Sequence, residues 1–263
     1  MSPHSWNNGA TSSNVSRRDF INACAVTLAA PALWACGDDP TEPDGSSRLA
    51  ARPGTPTTTP TLGRTELGLE SGRDGFLYVP QSYMPDVPMP LLVVLHGAGG
   101  DADNWTSYPD RAETRGMILL APDSRLATWD VRFGGFGPDV AFIDRALQHT
   151  FERCNVDPRR IALAGFSDGA SYALSLGVSN GDLFTHLIGY SPGFLQPGDQ
   201  IVGKPPVYIS HGTFDNILPV SASRDVIVPA LRNDGYDVEY SEFDGGHEVP
   251  AEVSDGALDW WLP

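Results

Sequence analysis

The chain has 263 residues and a formal net charge of −16, with 28 glycines, 23 prolines and three cysteines. That length holds one sizeable folded domain plus tails. Lys204 is the only lysine among 17 basic residues set against 33 acidic ones, so no basic patch can replace phosphate counterions and nucleic acid is excluded as a partner.

The first stretch has its own texture. Arg17 and Arg18 precede Phe20, and an apolar run over 25–35 follows, broken only by Thr27 and Pro31. The run is too short to span a bilayer. A basic pair before such a run reads as an export signal, and the two arginines resemble a twin-arginine leader. Cys36 ends the run in Leu33-Trp34-Ala35-Cys36. This resembles a bacterial lipobox, whose cysteine is acylated, although Trp34 departs from the small residue usual there. Residues 1–36 are therefore expected to be a signal peptide, with the mature protein periplasmic or on the outer surface. Any membrane contact would come through lipid on Cys36. Residues 37–63 are rich in Pro, Thr, Ser and Asp. They lack the apolar surface that offsets ordering entropy and are expected to form a disordered tether. Residues 64–263 form the predicted domain, where Cys154 is alone and no internal disulfide is possible.

Within the domain, short apolar runs alternate with helical periodicity. The runs 76–79, 91–95, 117–120, 161–164, 187–190 and 207–210 are continuously apolar, as strands buried on both faces are. The stretch 238–243 alternates and reads as an edge strand. Residues 140–151, 220–233 and 250–262 show helix-face spacing, with Asp139 a candidate cap for the first. Strands alternating with helices predict a mostly parallel sheet covered on both faces. In such sheets ligands bind beyond the carboxyl ends of the strands.

The residues at those ends are polar and glycine-rich. His96-Gly97-Ala98-Gly99-Gly100 follows the 91–95 run, and Gly165-Phe166-Ser167-Asp168-Gly169 follows 161–164. His211-Gly212-Thr213-Phe214-Asp215 follows 207–210, and Gly245-Gly246-His247 follows 238–243. The glycines around Ser167 form a G-x-S-x-G elbow, in which a strand turns into a helix so sharply that only glycine fits on either side of the serine. A serine needs a base to take its proton. Of six histidines, His4 lies in the leader, His149 on a helix and His186 between helix and strand, while His96 and His211 read as loop-shaping residues. His247 is the candidate base. Asp215 is the candidate acid to orient it, on the chain order Ser, Asp, His, with Asp244 as a rival on the histidine's own loop. The Ala98 and Asp168 amides are candidate oxyanion donors.

On these motifs the chain resembles the phospholipase/carboxylesterase branch of the α/β-hydrolases, and is also similar to esterases related to polyhydroxybutyrate depolymerases. The resemblance implies an α/β-hydrolase fold and carboxylic ester hydrolysis with no metal or organic cofactor. It assigns the nucleophile to Ser167, the acid to Asp215 and the base to His247. Asp168 departs from the glutamine common at that place. Residues 191–206 are too few for a lid domain. His96, Gly97 and Trp129 are expected to line the substrate pocket. A peptidase or thioesterase would use the same triad, and a non-catalytic binding protein could keep the same scaffold.

Overall fold

A computed structural model describes residues 46–263, so the leader and Cys36 lie outside the described residues. Eight strands form one sheet: β1 (Gly63–Glu66), β2 (Gly75–Val79), β3 (Met89–Leu95), β4 (Ile118–Pro122), β5 (Val156–Phe166), β6 (His186–Tyr190), β7 (Val207–Gly212) and β8 (Val238–Phe243). Their order is β1-β2-β4-β3-β5-β6-β7-β8. Pairings from β4 to β8 are parallel, and β1 and β2 run antiparallel at one side.

Five helices cover the sheet: α1 (Tyr108–Arg115), α2 (Pro138–Phe151), α3 (Asp168–Ser179), α4 (Val228–Asn233) and α5 (Ala251–Trp261). The pleat of β3 divides the core between two faces. Leu91, Val93 and Leu95 join the apolar cluster that includes α2, α3 and α4, and Leu92 and Val94 join the one that includes α1 and α5. All five side chains are fully buried. Burial contributes about 1.5–3 kcal/mol for each such residue before ordering costs are counted.

Several expectations are corrected. Strand β1 was not predicted, because Gly-Arg-Thr-Glu has no apolar run and its residues alternate between half-buried and exposed at the sheet edge. Helix α1 was also missed. It buries only Tyr108 and Ala112, and Gly116 closes it at φ 59°. Asp139 does not cap α2. It lies inside the first turn after Pro138, where its carboxylate accepts from the Arg125 and Asp130 amides. The expected helix over 220–233 begins with a wide π turn, Ala222–Ile227, before α4. Pro229 has no amide to give the regular i−4 bond, and Val228 donates instead to Ser223 five residues back.

The expected disordered tether is corrected over its described part. Residues 46–62 contain no helix or strand, yet they lie against the domain as a strap. Leu49 is buried in the core, and its amide donates to Asn180. Arg48 and Arg52 both bond Asp182, and the Thr57 and Thr58 amides donate to the Glu152 carbonyl. These polar anchors supply the order that apolar content alone did not predict.

Residues 191–206 also carry no helix or strand. They run beside a serine ladder on α3. The Ser171 hydroxyl accepts from the Gly193 amide, Ser175 from Gln196 and Ser179 from Gly198. A spacing of four puts these hydroxyls on one helix face, and each also donates to the carbonyl four residues back. The segment is thereby fastened to the body.

Candidate active site

Ser167 sits between β5 and α3 with φ 59° and ψ −122°. A non-glycine residue in this region is strained, and the turn must over-determine it. The surroundings do so. A Cβ at position 165 would lie 2.2 Å from the Gly169 carbonyl oxygen, and one at 169 would lie 2.3 Å from that of Leu95. Glycine on both sides lets β5, α3 and the end of β3 meet, and the Ser167 amide donates to Tyr190 in β6.

The loops after β7 and β8 bring two side chains to this serine. His247 Nε2 is 2.8 Å from Ser167 Oγ, and His247 Nδ1 is 2.6 Å from Asp215 Oδ2. Asp215 is buried, which alone would raise its pKa. The His247 hydrogen bond and the Leu218 and Ile217 amides overcome that and leave the pKa lowered. An ionised carboxylate only accepts, so Nδ1 carries the proton and Nε2 is free to accept from the serine hydroxyl. The Phe166 ring packs 4.7 Å from the imidazole and supports it from one side. Asp244, the rival acid, is exposed.

The loop after β3 approaches from the other side. A Cβ on Gly97 would lie 3.3 Å from Ser167 Cβ, so this backbone runs hard against the serine. His96 holds it. The fully buried imidazole accepts at Nε2 from the Ser124 amide and faces Arg73 Nη2, so Nδ1 carries the proton and donates to the Gly97 carbonyl. Burial lowers the His96 pKa, and Arg73 adds to this. Among the described residues, the Ala98 and Asp168 amides have no protein acceptor. Asp168 is the first residue of α3, where amides lack helical partners.

The Asp168 carboxylate is not loose beside Ser167. It accepts from Thr128 Oγ1 at 2.9 Å and from Arg132 Nη1 at 3.2 Å, both on the loop after β4. The sequence marked Asp168 as a departure, but did not reveal these partners, or Arg73.

A cavity of about 480 Å³ opens along the loop after β3, and Ser167, Asp215 and His247 are not among its lining residues. His96 and Gly97 border it, together with Trp105, Tyr108, Phe166 and Val249. Trp129 does not. It is 1% exposed, stacks on Tyr172 in the core, and donates from Nε1 to the His96 carbonyl. Its loop carries Trp129 inward, under the site rather than into it. Cys154 is fully buried, and burial pushes its thiol up to about 12. Among the described residues, no three or more His, Cys, Asp or Glu side chains gather around a possible metal position.

No family model matches the chain. It is 29% identical over 176 residues to a probable feruloyl esterase C of Aspergillus niger, a match covering 63% of each chain. It is 30% identical over 119 residues to feruloyl esterase B of Thermothelomyces thermophilus, covering 41% of this chain and 40% of that one. The matches thus span less than two thirds of these relatives. Among solved structures, esterase PE8 superposes with a TM-score of 0.59 at 23% identity, over 71% of this chain and 96% of that one. Acetyl xylan esterase from Aspergillus awamori gives 0.59 at 17% identity, over 77% and 99%. These likenesses are likenesses of fold, and that fold is what carries Ser167 from a central parallel strand into a helix: the chain has the α/β-hydrolase fold.

Proposed function

We propose that this chain is a serine hydrolase that cleaves carboxylic esters through an acyl-enzyme on Ser167. The observation that carries this reading is the unbroken relay from Asp215 through His247 to Ser167, at 2.6 and 2.8 Å. His247 Nε2 takes the serine proton as Oγ attacks the ester carbonyl, and Asp215 stabilises the resulting imidazolium. The Ala98 and Asp168 amides receive the oxyanion. His247 then gives its proton to the departing alcohol. A water, deprotonated by the same imidazole, releases the acid and restores the serine.

The cavity sets the acyl group. Its volume lies within the range of small-molecule sites. Its walls include the Trp105 and Tyr108 rings, which meet edge to face with centroids 4.6 Å apart. We read it as a slot for a flat acyl group of hydroxycinnamoyl size, the class named for the two feruloyl esterases. A fluorophosphonate probe should label Ser167 in the wild type and not in Ser167→Ala. In a panel of methyl ferulate, p-nitrophenyl acetate, an acyl-CoA and a peptide anilide, the esters should turn over fastest. Preference for the anilide or the acyl-CoA would make the chain a peptidase or thioesterase, and absence of labelling would make it a binding protein.

We also propose export through residues 1–36 with acylation of Cys36, on the support of the arginine pair, the apolar run and the cysteine that ends it. Equal palmitate incorporation by wild type and Cys36→Ala would end that idea.

A further inference from the structure

The Asp215 carboxylate has a second histidine. Its Oδ1 accepts from the Ile217 amide at 2.9 Å and the Leu218 amide at 2.8 Å. Its Oδ2 faces His247 Nδ1 at 2.6 Å and also His211 Nε2 at 3.2 Å. The Asp215 and His211 side chains have no exposed surface, so water cannot replace any of these donors.

The proton on His211 can be placed from its partners. Nε2 lies 2.8 Å from the Leu218 carbonyl oxygen, which can only accept, so Nε2 carries hydrogen. That N–H bonds the Leu218 carbonyl, and Asp215 Oδ2 lies beside the same nitrogen at 3.2 Å, off the line of the hydrogen bond. Nδ1 lies 2.7 Å from Ser223 Oγ, whose hydroxyl donates to it when the ring is neutral. His211 therefore binds the carbonyl at the end of the 215–218 turn and lies against the carboxylate at its start. Ser223, just beyond the loop, fixes the plane of the ring.

Resting on the proposed ester hydrolysis, we propose that His211 is a positioning residue for catalysis: its Nε2–H pins the Leu218 carbonyl at the end of the turn that grips Asp215 and sets the positive end of the N–H dipole near Oδ2, so that Oδ2 stays aimed at His247. Three donors on two oxygens fix the carboxyl plane. The Nε2–H dipole near Oδ2 also stabilises its charge and so limits how strongly Asp215 draws a proton onto His247. Two charged groups face His211 from neighbouring elements. Glu242 is its register partner in β8 and is taken up by Arg224, which follows Ser223 in the π turn. Neither supplies a donor to Asp215 among the described residues.

The test compares His211→Leu with His211→Gln in the full chain, after wild-type esterase activity and Ser167 labelling have been established. Gln places an amide N–H near the position of Nε2 and Leu places none. His211→Leu should lower kcat by roughly 10- to 100-fold, the scale of outer partners that orient a functional histidine, with KM within about twofold. It should also move the acid limb of the kcat/KM profile to higher pH, since an undamped Asp215 holds the proton on His247 more tightly. His211→Gln should recover most of both. If His211→Leu folds poorly, Ser223→Ala removes only the ring's outer partner and should shift the same limb in the same direction by less. An unmoved acid limb in a folded His211→Leu, or in Ser223→Ala where Leu fails to fold, overturns the proposal, even with lowered thermal stability. An inactive, unlabelled wild type would instead defeat the esterase reading itself.

Discussion

Two loops of this molecule begin with the same dipeptide and use it in opposite ways. His96-Gly97 follows β3 and His211-Gly212 closes β7, and both imidazoles are fully buried. His96 carries its proton on Nδ1, donates to its own loop at Gly97, and accepts from Ser124. His211 carries its proton on Nε2 and reaches forward to Leu218 and Asp215. One ring fastens the backbone proposed to meet an oxyanion, and the other fastens the turn that carries the carboxylate proposed to orient the base. A His-Gly pair after a strand therefore announces a fastened loop. What the loop does depends on which nitrogen the neighbours leave protonated.

The sharpest way to break the comparison is at the acid loop. Asp215→Asn should lower kcat by about 10⁴-fold, because the amide can donate to His247 and select the wrong tautomer. Steady-state kinetics on a p-nitrophenyl ester will show it, and a near-wild-type rate would pass the acid role to another residue. At the oxyanion loop the loss should be smaller. His96→Leu leaves the Gly97 carbonyl and the Ser124 amide without their ring partner, and should cost about 10²- to 10³-fold in kcat, the scale of losing one oxyanion donor. It should leave the acid limb of the pH profile in place.

Acid separates the loops next. The His96 pKa is lowered on folding by burial first, so the folded state resists a proton that the unfolded chain accepts. Its contribution to stability is present above the ordinary histidine value of 6.5 and is lost as pH falls from there toward the lower folded value. The Asp215 pKa is also lowered, so its contribution is complete above 3.8 and is lost only as pH falls below that. Thermal midpoints between pH 7 and pH 5 should fall less in His96→Leu than in the wild type, while Asp215→Asn should change that slope little. The smallest effect should come from Arg132→Ala. Arg132 is half exposed where it meets Asp168, so stability should change by less than about 1 kcal/mol in chemical denaturation.

Much of the site could be read in the sequence because its chemistry sits where strands end. The glycines around Ser167, the Asp215 turn and the Gly-Gly before His247 each follow a run whose apolar texture marks a buried strand. The partners of these residues were less legible. Arg73, Thr128 and Arg132 lie on loops with no periodicity and reach their targets only through tertiary packing. Trp129 misled for the same reason, since a loop aromatic can face inward or outward and composition does not decide which. In the fold, β1 and the strap were missed because polar anchors, not apolar pattern, hold them in place.

The strap also changes a distance. If the proposed acyl group on Cys36 anchors this protein, residues 37–45 lie between the lipid and the strap, a reach of at most roughly 30 Å at about 3.3–3.6 Å per residue. A free tether through residue 63 would have given about three times that reach. An esterase of the proposed kind, held that way, would be confined to a layer about one domain thick and would meet a substrate only where it comes to the membrane.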